Sequence, residues 1–216
     1  MTARALKFIV FAVLLVAAGG CGPRPLSLAA PVAGVALDYG DSLADWTRSY
    51  RLYEDFETRV VIHATYYSRQ FVAAYLQEYQ RVYQPVTQDM TALRARLEHR
   101  LVRNECFFVS FFTGDRDWND LALSSSTWRV YLETSRGARL RASSISNREG
   151  KLVEQQHFFP YHDEFAEPYL VCFDRFSEGS GGQGLPQPVI GPGVEDFTLV
   201  LRSPLGNLRL NWEMQK

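Results

Sequence analysis

From residue 46 onward the chain alternates between two hydrophobic periods. In 56–66, Phe56, Thr58, Val60, Ile62 and Ala64 fall on one parity, while Glu57, Arg59, His63 and Thr65 fall on the other. Alternation among β-branched and aromatic residues predicts a strand. With 46–53 it predicts a hairpin around Glu54-Asp55. The period then lengthens. Phe71, Tyr75, Tyr79 and Tyr83 recur every four residues behind Ser68, a residue suited to cap a helix. Pro85 ends that run. Thr87 is placed to cap a second helix reaching about residue 103, with Met90, Leu93, Leu97 and Leu101 on one stripe. Two amphipathic helices joined by a short turn predict an αα-hairpin over 68–103.

The period of two returns after Asn104. Strands are predicted over 106–113, 127–134, 138–145, 169–176, 197–202 and 208–214. Turn signals stand at Ser135-Arg136-Gly137 and Ser203-Pro204-Leu205-Gly206-Asn207. Short strands around one helical excursion predict an α+β fold, mainly β. The expected architecture is an antiparallel β-sandwich, Ig-like or related, with the αα-hairpin inserted; a closed barrel is the alternative. Residues 177–193 hold six glycines and three prolines, and read as a long functional or mobile loop.

The N-terminus follows another pattern. Arg4 and Lys7 precede an unbroken apolar run over 8–18, and Gly19-Gly20-Cys21 follows. A charged start, a short apolar middle and small residues at the end predict a secretory signal peptide over 1–20. The run is too short to span a bilayer, which takes about 20 apolar residues. At Cys21 the segment resembles the lipobox of bacterial lipoproteins, with Ala18 where Leu is most frequent. The resemblance covers residues 1–21. It implies cleavage before Cys21, acylation of its thiol and usually of the new amine, and an outer-membrane lipoprotein facing the periplasm, since Gly22 rather than Asp follows. Ordinary cleavage would release a soluble secreted product instead. Residues 21–40, rich in Pro and Gly, read as a tether, and 41–216 as one globular domain.

Removing 1–20 takes two basic residues and no acidic one, leaving 21 basic against 24 acidic, net −3. That balance and an envelope address argue against nucleic acid. In an oxidising compartment Cys106 and Cys172 are candidates for a disulfide, the alternative being two buried thiols.

Candidate chemistry is sparse. Asp115, Asp117 and Asn119 open like a calcium loop, but Asp120 stands where Gly is needed and Ser126 where Glu is expected. They read better as a polar loop satisfying its own backbone. His157, His162, Asp163 and Glu164 could ligate zinc, although Pro160 interrupts any aligning helix. The plainer expectation has Phe158 and Phe159 packed inward and His162, Asp163 and Glu164 solvated. Gly179-Ser180-Gly181 lacks the strand–elbow–helix setting of a nucleophile. Arg94, Arg96, His99, Arg100 and Arg103 lie off the apolar stripe of the second helix. With Tyr75, Tyr79 and Tyr83 they form a candidate interaction surface, the alternative being that the tyrosines are core and the basic face merely solvated.

The expectation is a non-enzymatic, lipid-anchored module without cofactor, held to a membrane and docking on another envelope protein. A binder of glycan or lipid is the alternative. It would show itself by two or three of Tyr66, Tyr67, Trp118, Trp128 and Tyr161 exposed in one concavity. A metal-dependent hydrolase around His157, His162 and Asp163 is the third class.

Overall fold

The computed structural model describes residues 26–32, 34–148, 150–177 and 186–214. The signal peptide, Cys21 and Gly179-Ser180-Gly181 lie outside the described residues. Helix α1 spans Tyr39–Trp46. Strands β1 (Thr47–Glu54) and β2 (Glu57–Tyr66) form the hairpin. Its turn places Asp55 at φ 54°, a left-handed conformation that Asp tolerates.

Helices α2 (Arg69–Tyr83) and α3 (Thr87–Arg103) form the inserted pair. The Ser68 hydroxyl caps α2 by accepting from the Phe71 N–H, as its position predicts. Helix α3 begins one residue earlier than predicted, with Val86 as its uncapped boundary.

The remaining strands are β3 (Asn104–Thr113), β4 (Arg129–Thr134), β5 (Arg139–Arg141), β6 (Ser144–Asn147), β7 (Glu167–Asp174), β8 (Phe176–Ser177), β9 (Gln187–Pro188), β10 (Asp196–Ser203) and β11 (Gly206–Glu213). A short helix α4, Leu152–Phe158, precedes β7. Pairing builds a five-stranded sheet β1-β2-β3-β7-β6, a four-stranded sheet β11-β10-β4-β5 and the two-stranded β8-β9, with every named pairing antiparallel.

The two larger sheets face each other as a sandwich. Parity on β3 sends Glu105, Phe107, Val109 and Phe111 inward. Phe107 meets Phe197 and Trp212 of the opposite sheet, and Phe111 meets Trp128 edge-on. The other parity sends Cys106, Phe108 and Ser110 to the outer face. There Phe159, just past α4, stacks on Phe108 at 3.8 Å, and Phe71 of α2 packs on Phe159. The helices therefore form a third layer over part of this face. Beneath them Cys106 and Cys172, directly opposed on β3 and β7, form a disulfide. Closing that loop is worth about 4 kcal/mol on the chain-entropy account.

Three expectations are corrected. The stretch 138–145 is two strands in different sheets, because between Arg141 and Ser144 the chain passes from the edge strand of one sheet to the edge strand of the other. The segment expected as a tether over 21–40 is joined to the fold at residue 26 and again from Tyr39. Leu26 is buried and bridges Met214, its N–H donating to the Glu213 carbonyl at 3.4 Å, and α1 starts at Tyr39. The loop over 177–193 is partly structured, with β8 pairing β9 and Val189 and Ile190 buried.

Candidate functional site

Two clefts draw on chemically useful side chains. The first, about 440 Å³, opens where the N-terminal segment crosses the end of the sandwich. That volume lies within the range of small-molecule sites. One wall is apolar, from Leu26, Leu28, Ile190, Val194 and Met214; Arg69, the first residue of α2, and Arg175, just after β7, bring charge to the cleft. Tyr66 lines it and donates its hydroxyl to Glu105 Oε2 at 2.5 Å.

Glu105 is the unusual residue. It is 1% exposed, and its Oε1 accepts no hydrogen bond among the described residues. Arg175 Nη1 stands 3.5 Å from that oxygen while donating to the Leu101 carbonyl at 2.6 Å. Burial pushes the Glu105 carboxyl up to about 7, although the Tyr66 hydrogen bond and the charges of Arg175 and Arg69 pull it down. Buried polar groups are normally satisfied, and a carboxyl held near neutrality beside a cleft marks a site candidate.

The second cleft, about 330 Å³, lies on the outer face of the five-stranded sheet beyond the helices. His63, Ser110, Tyr161 and Phe165 line it, and His63 stacks on Tyr161 with ring centres 5.0 Å apart. Burial lowers the pKa of His63 and of His162. His162 Nδ1 lies 3.0 Å from Ser110 Oγ, a hydroxyl–imidazole pair. Nucleophilic catalysis also needs N–H donors aimed at a developing oxyanion. Ser110 sits mid-strand between β2 and β7, where the backbone belongs to the ladders.

The zinc candidates separate. His157 Nε2 pairs with Glu78 Oε1 at 2.9 Å, while Asp163 accepts from the N–H groups of Phe165 and Ala166. His162 is buried rather than solvated, because it fits under the turn onto Ser110; Asp163 and Glu164 are exposed, and Phe158 and Phe159 pack inward. In the calcium-like loop the Asp115 carboxylate caps a 3₁₀ turn by accepting from the Asp117 N–H. Asn119 donates to the Phe111 carbonyl and meets the Tyr169 hydroxyl. Among the described residues no three His, Cys, Asp or Glu converge as a metal site.

Of the proposed interaction surface, Tyr75 is buried against Phe71 and Phe158, so that end of the tyrosine stripe is core. Tyr79 is half-buried and Tyr83 exposed. Arg96 and Arg103 are exposed, and Arg100 is partly buried. Tyr66, Tyr67 and Trp128 are buried, with Trp118 and Tyr161 intermediate, so the open aromatic concavity is not formed.

Sequence reasoning missed Glu105. Its signal was a lone carboxylate on the same parity as Phe107, Val109 and Phe111. No family model, curated protein or solved structure matches the chain. Among the described residues no helix is long and apolar enough to cross a membrane.

Proposed function

We propose that the chain is a lipid-anchored, non-catalytic binding module of a bacterial envelope, and that it takes an anionic amphiphile in the Arg69–Arg175 cleft. One observation carries this reading. The cleft brings two guanidinium groups, those of Arg69 and Arg175, together with an apolar lining, and Arg175 also pairs with the buried Glu105 carboxyl at 3.5 Å. An acidic headgroup suits the arginines, and an acyl or similar apolar chain suits Leu26, Leu28, Ile190, Val194 and Met214.

The lipobox-like segment supports the anchor. Only four residues separate Cys21 from Leu26. At about 3.3–3.6 Å per extended residue, five steps reach no more than about 18 Å. An acylated Cys21 therefore keeps the cleft beside the bilayer, where an amphiphilic ligand is at hand.

Native mass spectrometry of protein from its own host, followed by titration with dodecanoate, tests the cleft. A co-purifying amphiphile, or dodecanoate binding that raises the melting temperature and is lost in Arg69→Glu, supports it. Arg69 is exposed, so the ligand-free melting temperature of that variant should hold. No ligand and no response to dodecanoate would remove the reading. The mass of the N-terminal peptide tests the anchor separately.

A further inference from the structure

Among the described residues no helix layer covers the outer face of the four-stranded sheet, and the register gathers basic side chains on it. Val200 of β10 lies opposite both Arg209 of β11 and Tyr131 of β4, and Tyr131 lies opposite Arg141 of β5. The neighbouring row on one side pairs Glu133 with Arg139, and on the other Arg202 with Arg129. These five arginines are exposed. The one carboxylate among them, Glu133, is shared by Arg139, Arg202 and Arg209 at 3.4, 3.6 and 3.0 Å. Arg139 also lies over the Tyr131 ring, 4.1 Å from its centre. The other acidic residues of this face, Asp196 and Glu213, stand opposite one another at the end of the sheet next to Met214. A chain whose formal net charge is −1 thus concentrates positive charge on one flat surface.

We infer that this face docks on anionic phospholipid headgroups of the membrane that holds the anchor. The inference rests on the anchored reading for its geometry. Leu26 joins the fold at Met214, and Arg209 lies five residues back along β11. At about 3.4 Å per residue that separation is about 17 Å, close to the reach of the segment after Cys21. The anchor is therefore long enough for the sheet to lie against the bilayer with its strands along the surface. Charge complementarity selects the occupant. The face is arginine-rich, and neither cleft described above lies on it to receive a protein partner's anchor residues. Basic groups near an anionic surface each strengthen binding about fivefold, and the attraction falls off within a Debye length.

The test uses residues 22–216, which contain every described element of the fold, made without the anchor. Flotation compares vesicles of phosphatidylcholine with vesicles containing about one third phosphatidylglycerol. The expected result is binding to the anionic vesicles only, lost in high salt. Arg139→Glu/Arg141→Glu/Arg209→Glu should weaken it at least 30-fold. Arg141→Gln alone, an exposed change that leaves the fold intact, should weaken it about fivefold. The control Arg94→Glu/Arg96→Glu on α3 should bind as the parent does. Absence of binding to anionic vesicles at low salt overturns the inference. So does loss in the α3 control with the sheet variants unaffected. Capture of an acidic protein by a face that ignores vesicles also overturns it, in favour of a protein partner. Because this protein carries no acyl group, its result is independent of whether Cys21 is lipidated.

Discussion

The outer faces of the two sheets obey the same alternation and meet opposite fates. On the five-stranded sheet the outward parity of β3 reads Cys106, Phe108, Ser110 and Phe112, and helices close over part of it. On the four-stranded sheet the outward parity of β10 and β11 reads Asp196, Thr198, Val200, Arg202, Asn207, Arg209, Asn211 and Glu213. That face needs no cover. Arginine stems shield apolar surface while their heads stay in water, and Val200 beneath them is fully buried. The first face is bound into the fold by aromatic packing and a disulfide. The second exposes five arginine heads over the buried Val200. Both clefts lined by groups with shifted pKa belong to the first sheet or its ends, while the second sheet carries a cluster of exposed arginines.

The sharpest break between the faces is a truncation on each. Phe159 is 2% exposed and stacks on Phe108. Phe159→Ala should cost about 3–5 kcal/mol in urea unfolding, because it opens a cavity in a packed aromatic layer. Arg202→Gln on the bare face should stay within about 0.5 kcal/mol. Equal costs would mean that the helices do not secure the first face as their packing indicates.

The next effect concerns the end of the sandwich. The Glu105 carboxyl, raised by burial to about 7 from 4.5, favours its protonated form in the fold. Its contribution is fully present below about pH 4.5 and is lost as pH rises through 7, a swing of about 3 kcal/mol. His63 and His162, lowered by burial, act in the opposite sense, so the whole-protein profile mixes these groups. The difference between Glu105→Gln and the parent isolates one of them. It should move by about 3 kcal/mol in favour of the glutamine variant between pH 4.5 and pH 8. A flat difference would place the charge in better solvation than its burial indicates.

Much of the first face was legible in the sequence. The four-residue repeat from Phe71 to Tyr83, the Ser68 cap and Pro85 defined the helical pair, and the two cysteines fell in facing strands. Helix α4 was not legible, since seven residues without a side-chain cap give little periodic signal. The split between Arg141 and Ser144 was hidden because both halves carry strand-like residues and only tertiary pairing separates them. Glu105 falls just outside the predicted strand over 106–113, whereas β3 begins at Asn104, and local sequence does not say that the end of a sandwich is closed. The basic face was invisible for a different reason. Each strand gives it one or two arginines, an ordinary polar parity, and only the order β11-β10-β4-β5 adds them together. A charge pattern distributed over four strands is a property of register, not of any window of sequence.

Glu133 provides the smallest effect and the most discriminating one. It is the shared counter-ion of three arginines on the bare face, and its side chain is 22% exposed. Glu133→Gln removes those ion pairs and leaves the arginines to repel one another. For such partly exposed pairs the expected cost is about 0.5–1 kcal/mol at low salt, shrinking as salt is added. The same change raises the net positive charge of the face by one, so affinity for phosphatidylglycerol vesicles should rise about fivefold. Stability and binding then move in opposite directions from a single substitution. A face that served only the fold would lose stability and gain nothing at the membrane, and a general weakening of the domain would lower both. Measuring urea unfolding and vesicle flotation on the same Glu133→Gln preparation separates those cases.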